Sequence, residues 1–190
     1  MRLKILAPLA VVVVSVAASS VAQASTRGHN DLDRVRHATA RFHDLKTADS
    51  AGYKRFVDVN GIACIDMPGM GAMGVHYVNG ALVGDGEINA LTPEAVIYEP
   101  GEHGKLHLVA VEYVVLKDAW DANHSAPPSL FGQPFNFTAA GNRFGLPDFY
   151  SLHVWVFKHN PAGTFNMWNP NVHCNSGDGH EMDDDQMANM

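Results

Sequence analysis

Three strongly apolar runs of this chain each carry one side chain that can bind a metal ion or exchange a proton. The runs are residues 74–78 with His76, residues 106–116 with Glu112 and residues 152–157 with His153. Their β-branched and aromatic composition predicts strands. Because burying an unpaired carboxylate costs several kcal/mol, Glu112 must find a partner or stay protonated. The two histidines are the natural candidates, so the fold has to bring these strands together.

Alternation along residues 106–116 separates two faces of the predicted strand. One face carries Glu112 with Leu106, Leu108, Ala110, Val114 and Leu116, and the other carries His107, Val109, Val111, Tyr113 and Val115. Both faces are largely apolar. This pattern is typical of a strand that is covered on both sides, as in a barrel or a sandwich.

Two imidazole nitrogens and one carboxylate oxygen form a common ligand set for Zn(II), Mn(II), Fe(II) or Cu(II). The set His76, Glu112 and His153 therefore predicts a divalent metal site, and Tyr77 or Tyr113 can supply a supporting hydrogen bond. Two alternatives remain open. One is a metal-free Glu–His pair that transfers protons, and the other is a buried hydrogen bond that serves only the structure.

The first 24 residues predict a signal peptide. Arg2 and Lys4 form a positive start, residues 5–16 are apolar, and Ala22-Gln23-Ala24 matches a cleavage pattern. A secreted or periplasmic protein without a membrane span after cleavage is therefore expected. The chain carries 13 basic and 20 acidic residues, a balance that argues against nucleic acid as a partner. Residues 25–174 predict one globular domain, and residues 175–190 predict a disordered tail.

The two cysteines, Cys64 and Cys174, predict a disulfide in an oxidising compartment. A thiolate metal site is the alternative. His173, next to Cys174, is a further candidate ligand for the metal.

The predicted fold class is α+β, with an N-terminal helix packed on a mostly antiparallel, barrel-like or sandwiched β-sheet. The helix is expected from Asn30 to Ala51, where apolar residues recur at three- and four-residue spacing. Residues 95–99 and 105–116 predict a hairpin. The Asn79-Gly80 pair is typical of another tight hairpin turn.

Residues 117–150 form a long stretch rich in proline, glycine, asparagine and phenylalanine. Such a segment between two strands predicts a lid or pocket wall, or else a cap on the core. Four aromatic residues are predicted to line a pocket for a small apolar molecule: Phe131, Phe135, Trp155 and Trp168.

Three segments, residues 71–79, 111–113 and 152–163, resemble a family of secreted bacterial proteins of unknown function. The resemblance extends from the first helix to Cys174 and implies export and a single domain, with no known activity. The function expected from the residues is a secreted or periplasmic metal-binding protein, including a metalloenzyme. The alternative is a metal-free protein that binds a small ligand or has a structural role in the envelope.

Overall fold

The computed structural model describes residues 30–174 and 179–181. The predicted signal peptide, residues 1–24, lies outside the described residues, as does most of the predicted tail. Within the described part, no helix reaches the length and apolar character needed to cross a membrane.

A mostly antiparallel sheet forms the centre of the fold, and the predicted α+β class is confirmed. The strand order is β10-β2-β3-β4-β5-β9-β8, with β1 paired to β3, and only the β10–β2 pair is parallel. The strands are β1 Lys54–Arg55, β2 Cys64–Met67, β3 Gly71–Val78, β4 Ala95–Pro100, β5 Leu106–Leu116, β8 Asn136–Thr138, β9 Phe149–Val154 and β10 Gly179–Glu181. A separate two-stranded sheet pairs β6 Ser129–Leu130 with β7 Gln133–Pro134.

Barrel closure, which was one form of the prediction, is not seen among the described strands. The sheet ends at β8 on one side and at β10 on the other, and no pairing joins these two strands. Both end strands have three residues, so each offers few backbone groups for a further partner.

The single predicted helix is divided into three parts. Residues 30–39 are helical (α1), Ala40–His43 form a 3-10 turn, and Leu45–Ser50 form α2. The break occurs because Asp44 is extended and its side chain accepts hydrogen bonds from the Lys46 N–H and the Thr47 hydroxyl. These contacts cap a new helix instead of continuing the old one.

The helices pack on one face of the sheet and enclose the main core. Phe42 and Val35 from the helices contact a cluster that includes Tyr98, Val111 and Tyr113 of β4 and β5. The Tyr98 hydroxyl donates a hydrogen bond of 2.7 Å to the Phe42 carbonyl, which fixes the helical segment to the sheet. The opposite face of the sheet carries the three chemically active side chains.

The β4–β5 hairpin is confirmed, but a β-bulge changes the predicted faces of β5. Ile97 pairs with Ala110, whereas Tyr98 pairs with Leu108, so one residue of β5 is extra. Leu108 consequently joins Val111 and Tyr113 in the helix-side core, although simple alternation places it with Glu112. The extra residue reverses the alternation on one side of the bulge.

Asn79-Gly80 does not form the predicted hairpin turn. Residues Gly80–Val83 form a short helix, α3, and the Asn79 side chain accepts a hydrogen bond from the Ala81 N–H. Asparagine favours both tight turns and helix N-caps, and the second role applies here.

The predicted disulfide between Cys64 and Cys174 is present, and it joins β2 to the chain segment that precedes β10. Residues 179–181 of the predicted disordered tail pair with Cys64–Asp66 as a parallel strand. The disulfide and the β10–β2 ladder therefore both involve Cys64, the first residue of β2.

Candidate metal centre

His76, Glu112 and His153 lie on one face of the sheet, on β3, β5 and β9. Glu112 is directly opposite His153 in the β5–β9 ladder and opposite Ala95 in the β4–β5 ladder. Three strand spacings separate β3 from β9, roughly 14 Å in a flat sheet. Ala95 of β4 lies between Glu112 and Val78, whereas His76 is opposite Ile97, so His76 approaches Glu112 diagonally across β4. The small Ala95 side chain leaves room for the longer side chains to lean together.

The three side chains converge at one point. The Nε2 atoms of the two histidines are 3.2 Å apart, and His76 Nε2 lies 3.4 Å from Glu112 Oε2. His153 Nδ1 lies 3.1 Å from Glu112 Oε1. Ligand atoms placed about 2 Å from a tetrahedral ion are about 3.3 Å from one another. The short contacts involve both ring nitrogens of His153, and one ligand atom from each residue can be chosen so that all three lie within 4.8 Å of one another. The cluster could therefore hold a metal ion.

All three side chains are buried, and burial favours their uncharged forms. It raises the pKa of Glu112 to about 8, against a hydrogen bond with Ser151 that acts in the opposite direction. It lowers the pKa of His76 to about 4, against a backbone hydrogen bond with Gly74. Burial and the neighbouring His76 place the pKa of His153 well below its usual value. Without a cation, the cluster is therefore neutral near pH 7.

His153 Nδ1 has no hydrogen-bond partner among the described residues, although it is fully shielded from solvent. Its approach to Glu112 is close enough but does not have the geometry of a hydrogen bond. A buried polar atom without a partner costs about 1 to 3 kcal/mol. This nitrogen lies beside two other potential ligands, so it is available to accept a hydrogen bond from a donor or to bind a metal ion.

A cavity of about 430 Å³ adjoins the cluster, and His76, Glu112 and His153 form part of its wall. The rest of the wall is mainly apolar and includes Val114 of β5 and Phe149 of β9. Further side chains come from the loop between β8 and β9, namely Phe144, Leu146 and Pro147. Part of the segment 117–150 thus forms the pocket wall expected of it.

No protein-family model, no curated protein and no solved structure matches the chain. The site therefore has to be interpreted from its own geometry.

The other predicted members of the metal site lie elsewhere. Tyr77 and Tyr113 point to the opposite face of the sheet, where Tyr77 packs on Tyr98 and the Tyr113 hydroxyl donates to the Ala90 carbonyl. Each is adjacent in sequence to a cluster residue, and strand alternation sends neighbours to opposite faces. His173 is exposed and is not part of the cluster.

The four aromatic residues predicted to line the pocket do not line this cavity. Phe131 and Phe135 pack in the helix-side core. Trp155 packs in a cluster with Ile97, and Trp168 packs in another with Ile65. Aromatic content indicated burial correctly but did not show which side of the sheet each ring would occupy.

Ser151 is the site residue that the sequence reasoning missed. It is buried, lies two residues before His153 on β9, and hydrogen-bonds Glu112. Since residues two apart share a face of a strand, alternation from His153 would have found it.

The metal-free protein is expected to lose stability as pH rises from about 6.5 to 8. Burial raises the pKa values of Glu112 and Glu94 to about 8 in the folded protein, so both groups keep their protons over most of this interval. In the unfolded chain, where the ordinary value is 4.5, both are already ionised. Higher pH therefore favours the unfolded state, by about 1 to 2 kcal/mol for each carboxyl group. His76 acts at lower pH, where its contribution to stability is lost as pH falls towards its folded-state pKa of about 4.

Urea unfolding at pH 6.5 and pH 8 with a chelator measures this effect. Glu112→Gln and Glu94→Gln should each remove about half of the loss, whereas Glu102→Gln, which changes an exposed residue, should leave it intact. Equal stability of the unmodified protein at the two pH values would contradict the expected protonation of the buried carboxyl groups.

Proposed function

We propose that this protein binds one divalent transition-metal ion through His76, Glu112 and His153. The observation that carries the proposal is the convergence of three buried donor groups, whose ligand atoms lie within 4.8 Å of one another, with His153 Nδ1 lacking a partner among the described residues. A cation bound there would lower the pKa of Glu112, because its positive charge stabilises the carboxylate that burial has removed from water.

The donor set favours a borderline metal ion. Two nitrogens and one oxygen suit Zn(II), Mn(II), Fe(II) or Cu(II). Both cysteines of the chain are in the disulfide, so no thiolate is available to favour a soft ion such as Cu(I). We take Zn(II) as the reference ion for experiments because it commonly binds histidine nitrogens together with a carboxylate oxygen and undergoes no redox change.

Three protein ligands leave a coordination position open, and the cavity lies beside them. When bound, an ion of this type can polarise a ligand or a water molecule at that position. Two neighbouring residues orient the proposed ligands. The Ser151 side chain hydrogen-bonds Glu112, and the Gly74 backbone hydrogen-bonds His76. Export to the periplasm or the medium remains part of the proposal, supported by the Cys64–Cys174 disulfide and the N-terminal sequence.

Calorimetric titration of metal-stripped protein, without a histidine tag, tests the proposal. Zn(II) should bind with a stoichiometry of about one, and His153→Gln or Glu112→Gln should lower the affinity at least a hundredfold. His107→Gln is the matched control, because His107 is exposed and lies on the same strand as Glu112. This variant should bind as the unmodified protein does.

Two results would count against the site. One is the absence of saturable binding by Zn(II), Mn(II), Fe(II) and Cu(II) in a protein that is folded. The other is an equal loss of affinity in His107→Gln and His153→Gln, which would place binding on surface histidines. Either result would favour the alternative in which Glu112 and the histidines form a metal-free hydrogen-bonded cluster.

A further inference from the structure

The cavity beside the proposed metal site has one polar end and a predominantly apolar wall. His76, Glu112 and His153 form the polar end, and the apolar wall includes Val78, Val83, Val114, Phe144, Leu146 and Phe149. An apolar cavity with a few polar groups at one place is typical of a site for a small molecule that is oriented by its head group.

Charge limits the chemistry of that head group. A divalent ion held by two neutral imidazoles and one carboxylate leaves a single net positive charge in apolar surroundings. Glu112 is the single acidic residue among the described residues of the cavity wall, and Lys54, which also contributes to the wall, is exposed and paired with Asp49. Because an uncompensated buried charge is costly, a ligand with one negative charge suits the open position best.

Size limits the rest of the molecule. A volume of about 430 Å³ lies within the range of about 300 to 1,000 Å³ that is usual for small-molecule sites. A single water molecule needs about 30 Å³ of that space. An ion with only a small inorganic ligand would therefore leave most of an apolar cavity unfilled.

We propose that the cavity binds a monocarboxylic acid with an apolar tail, whose carboxylate ligates the metal ion. The tail lies against Val114, Leu146 and Phe149. This inference rests on the proposed metal binding and adds the class of ligand that the bound ion takes.

Calorimetry on the zinc-loaded protein with octanoate as the probe tests the inference. Acetate supplies the same head group without the tail, and 1-octanol supplies the tail without the charge. Each methylene group removed from water contributes about fourfold to affinity. Octanoate should therefore bind at least a hundredfold more tightly than acetate, and at least tenfold more tightly than 1-octanol.

A variant that fills the cavity distinguishes the contribution of the apolar tail to octanoate affinity from that of the metal ion. Leu146 is half-buried and lines the cavity, so Leu146→Trp should lower octanoate affinity at least tenfold with no change in zinc affinity. Leu91→Trp is the control, because Leu91 is exposed and lies outside the cavity wall. If Leu146→Trp does not fold, Val83→Phe places added volume in the same cavity and carries the same expectation.

The outcomes separate the two proposals. If zinc binds but octanoate binds no more tightly than acetate, the ligand class is wrong and the metal site stands. If octanoate binds equally well with and without zinc, its carboxylate does not ligate the ion, and the inference is again wrong. If no zinc binds in the first titration, both proposals are overturned.

Discussion

Replacing Arg143 with methionine is expected to destabilise the protein by about 3 to 5 kcal/mol. The Arg143 Nε donates a hydrogen bond of 3.0 Å to Asp58 Oδ2, and both side chains are almost fully buried. Burial would raise the pKa of Asp58, but hydrogen bonds from the Ile62 N–H, Arg143 and the Asn60 N–H outweigh it and lower the pKa. The variant leaves this ionised carboxylate buried without its cation.

Urea unfolding of Arg143→Met measures the loss. Arg34→Met is the matched control, because Arg34 is exposed and its ion pair with Asp31 joins adjacent turns of one helix. That change should cost less than about 0.5 kcal/mol. A double variant, Asp58→Leu with Arg143→Met, should recover part of the stability, since it removes the stranded charge as well. A loss below about 1 kcal/mol in Arg143→Met would show that the ion pair is hydrated rather than buried.

The same ion pair matters for the cavity. Arg143 lies in the loop between β8 and β9, immediately before Phe144, which lines the cavity. The Arg143 carbonyl also accepts a hydrogen bond of 3.0 Å from the Val59 N–H. Asp58 and Val59 thereby hold the cavity-wall loop against the segment that follows β1.

Removing the disulfide, in the double variant Cys64→Ala with Cys174→Ala, is expected to cost about 5 kcal/mol of folding free energy. The bond joins residues 110 positions apart, so it closes a long loop in the unfolded chain. Closing a longer loop removes more conformational entropy from the unfolded chain, so the disulfide stabilises the folded state more. The variant should also expose the backbone amides of Gly179–Glu181 to hydrogen exchange, since the described contacts of β10 with β2 are a short parallel ladder of three residues.

Unfolding curves in urea measure the cost, and the exchange rates of β10 measure its detachment. Cys64 pairs with Val75, the neighbour of His76 on β3, but the disulfide packs against Val75 and Tyr77, which face away from the metal site. Zinc affinity should therefore change less than tenfold in this variant under conditions where it is folded. A stability loss below about 1 kcal/mol would contradict the loop-entropy account.

The candidate metal ligands were predictable from the sequence because burial of charge is a strong constraint. Glu112 occupies a run that only a strand covered on both faces can accommodate, and such a carboxyl group needs partners. Strand alternation then places Glu112 and His153 on definite faces. Their convergence with His76 was predicted, but the arrangement that produces it was not, because it depends on strand order and on the register that sets Glu112 opposite His153.

Two of the fold predictions that were wrong, the single long helix and the faces of β5, have local physical causes. Asp44 is polar and fits the solvated face of one long helix, but its side chain competes for backbone N–H groups and starts a second helix. The bulge in β5 inserts one residue and moves Leu108 to the other face, a change that alternation cannot reveal. The cavity wall depends on packing between distant segments, so the sequence indicated its aromatic content but not which rings would form it.

X-ray diffraction from zinc-soaked crystals, with data collected above and below the zinc absorption edge, tests the metal site most directly. The account predicts one anomalous peak about 2.0 to 2.2 Å from His76 Nε2, from one ring nitrogen of His153 and from one carboxylate oxygen of Glu112. A fully occupied zinc ion bound only elsewhere, with this cluster showing no anomalous density, would contradict it.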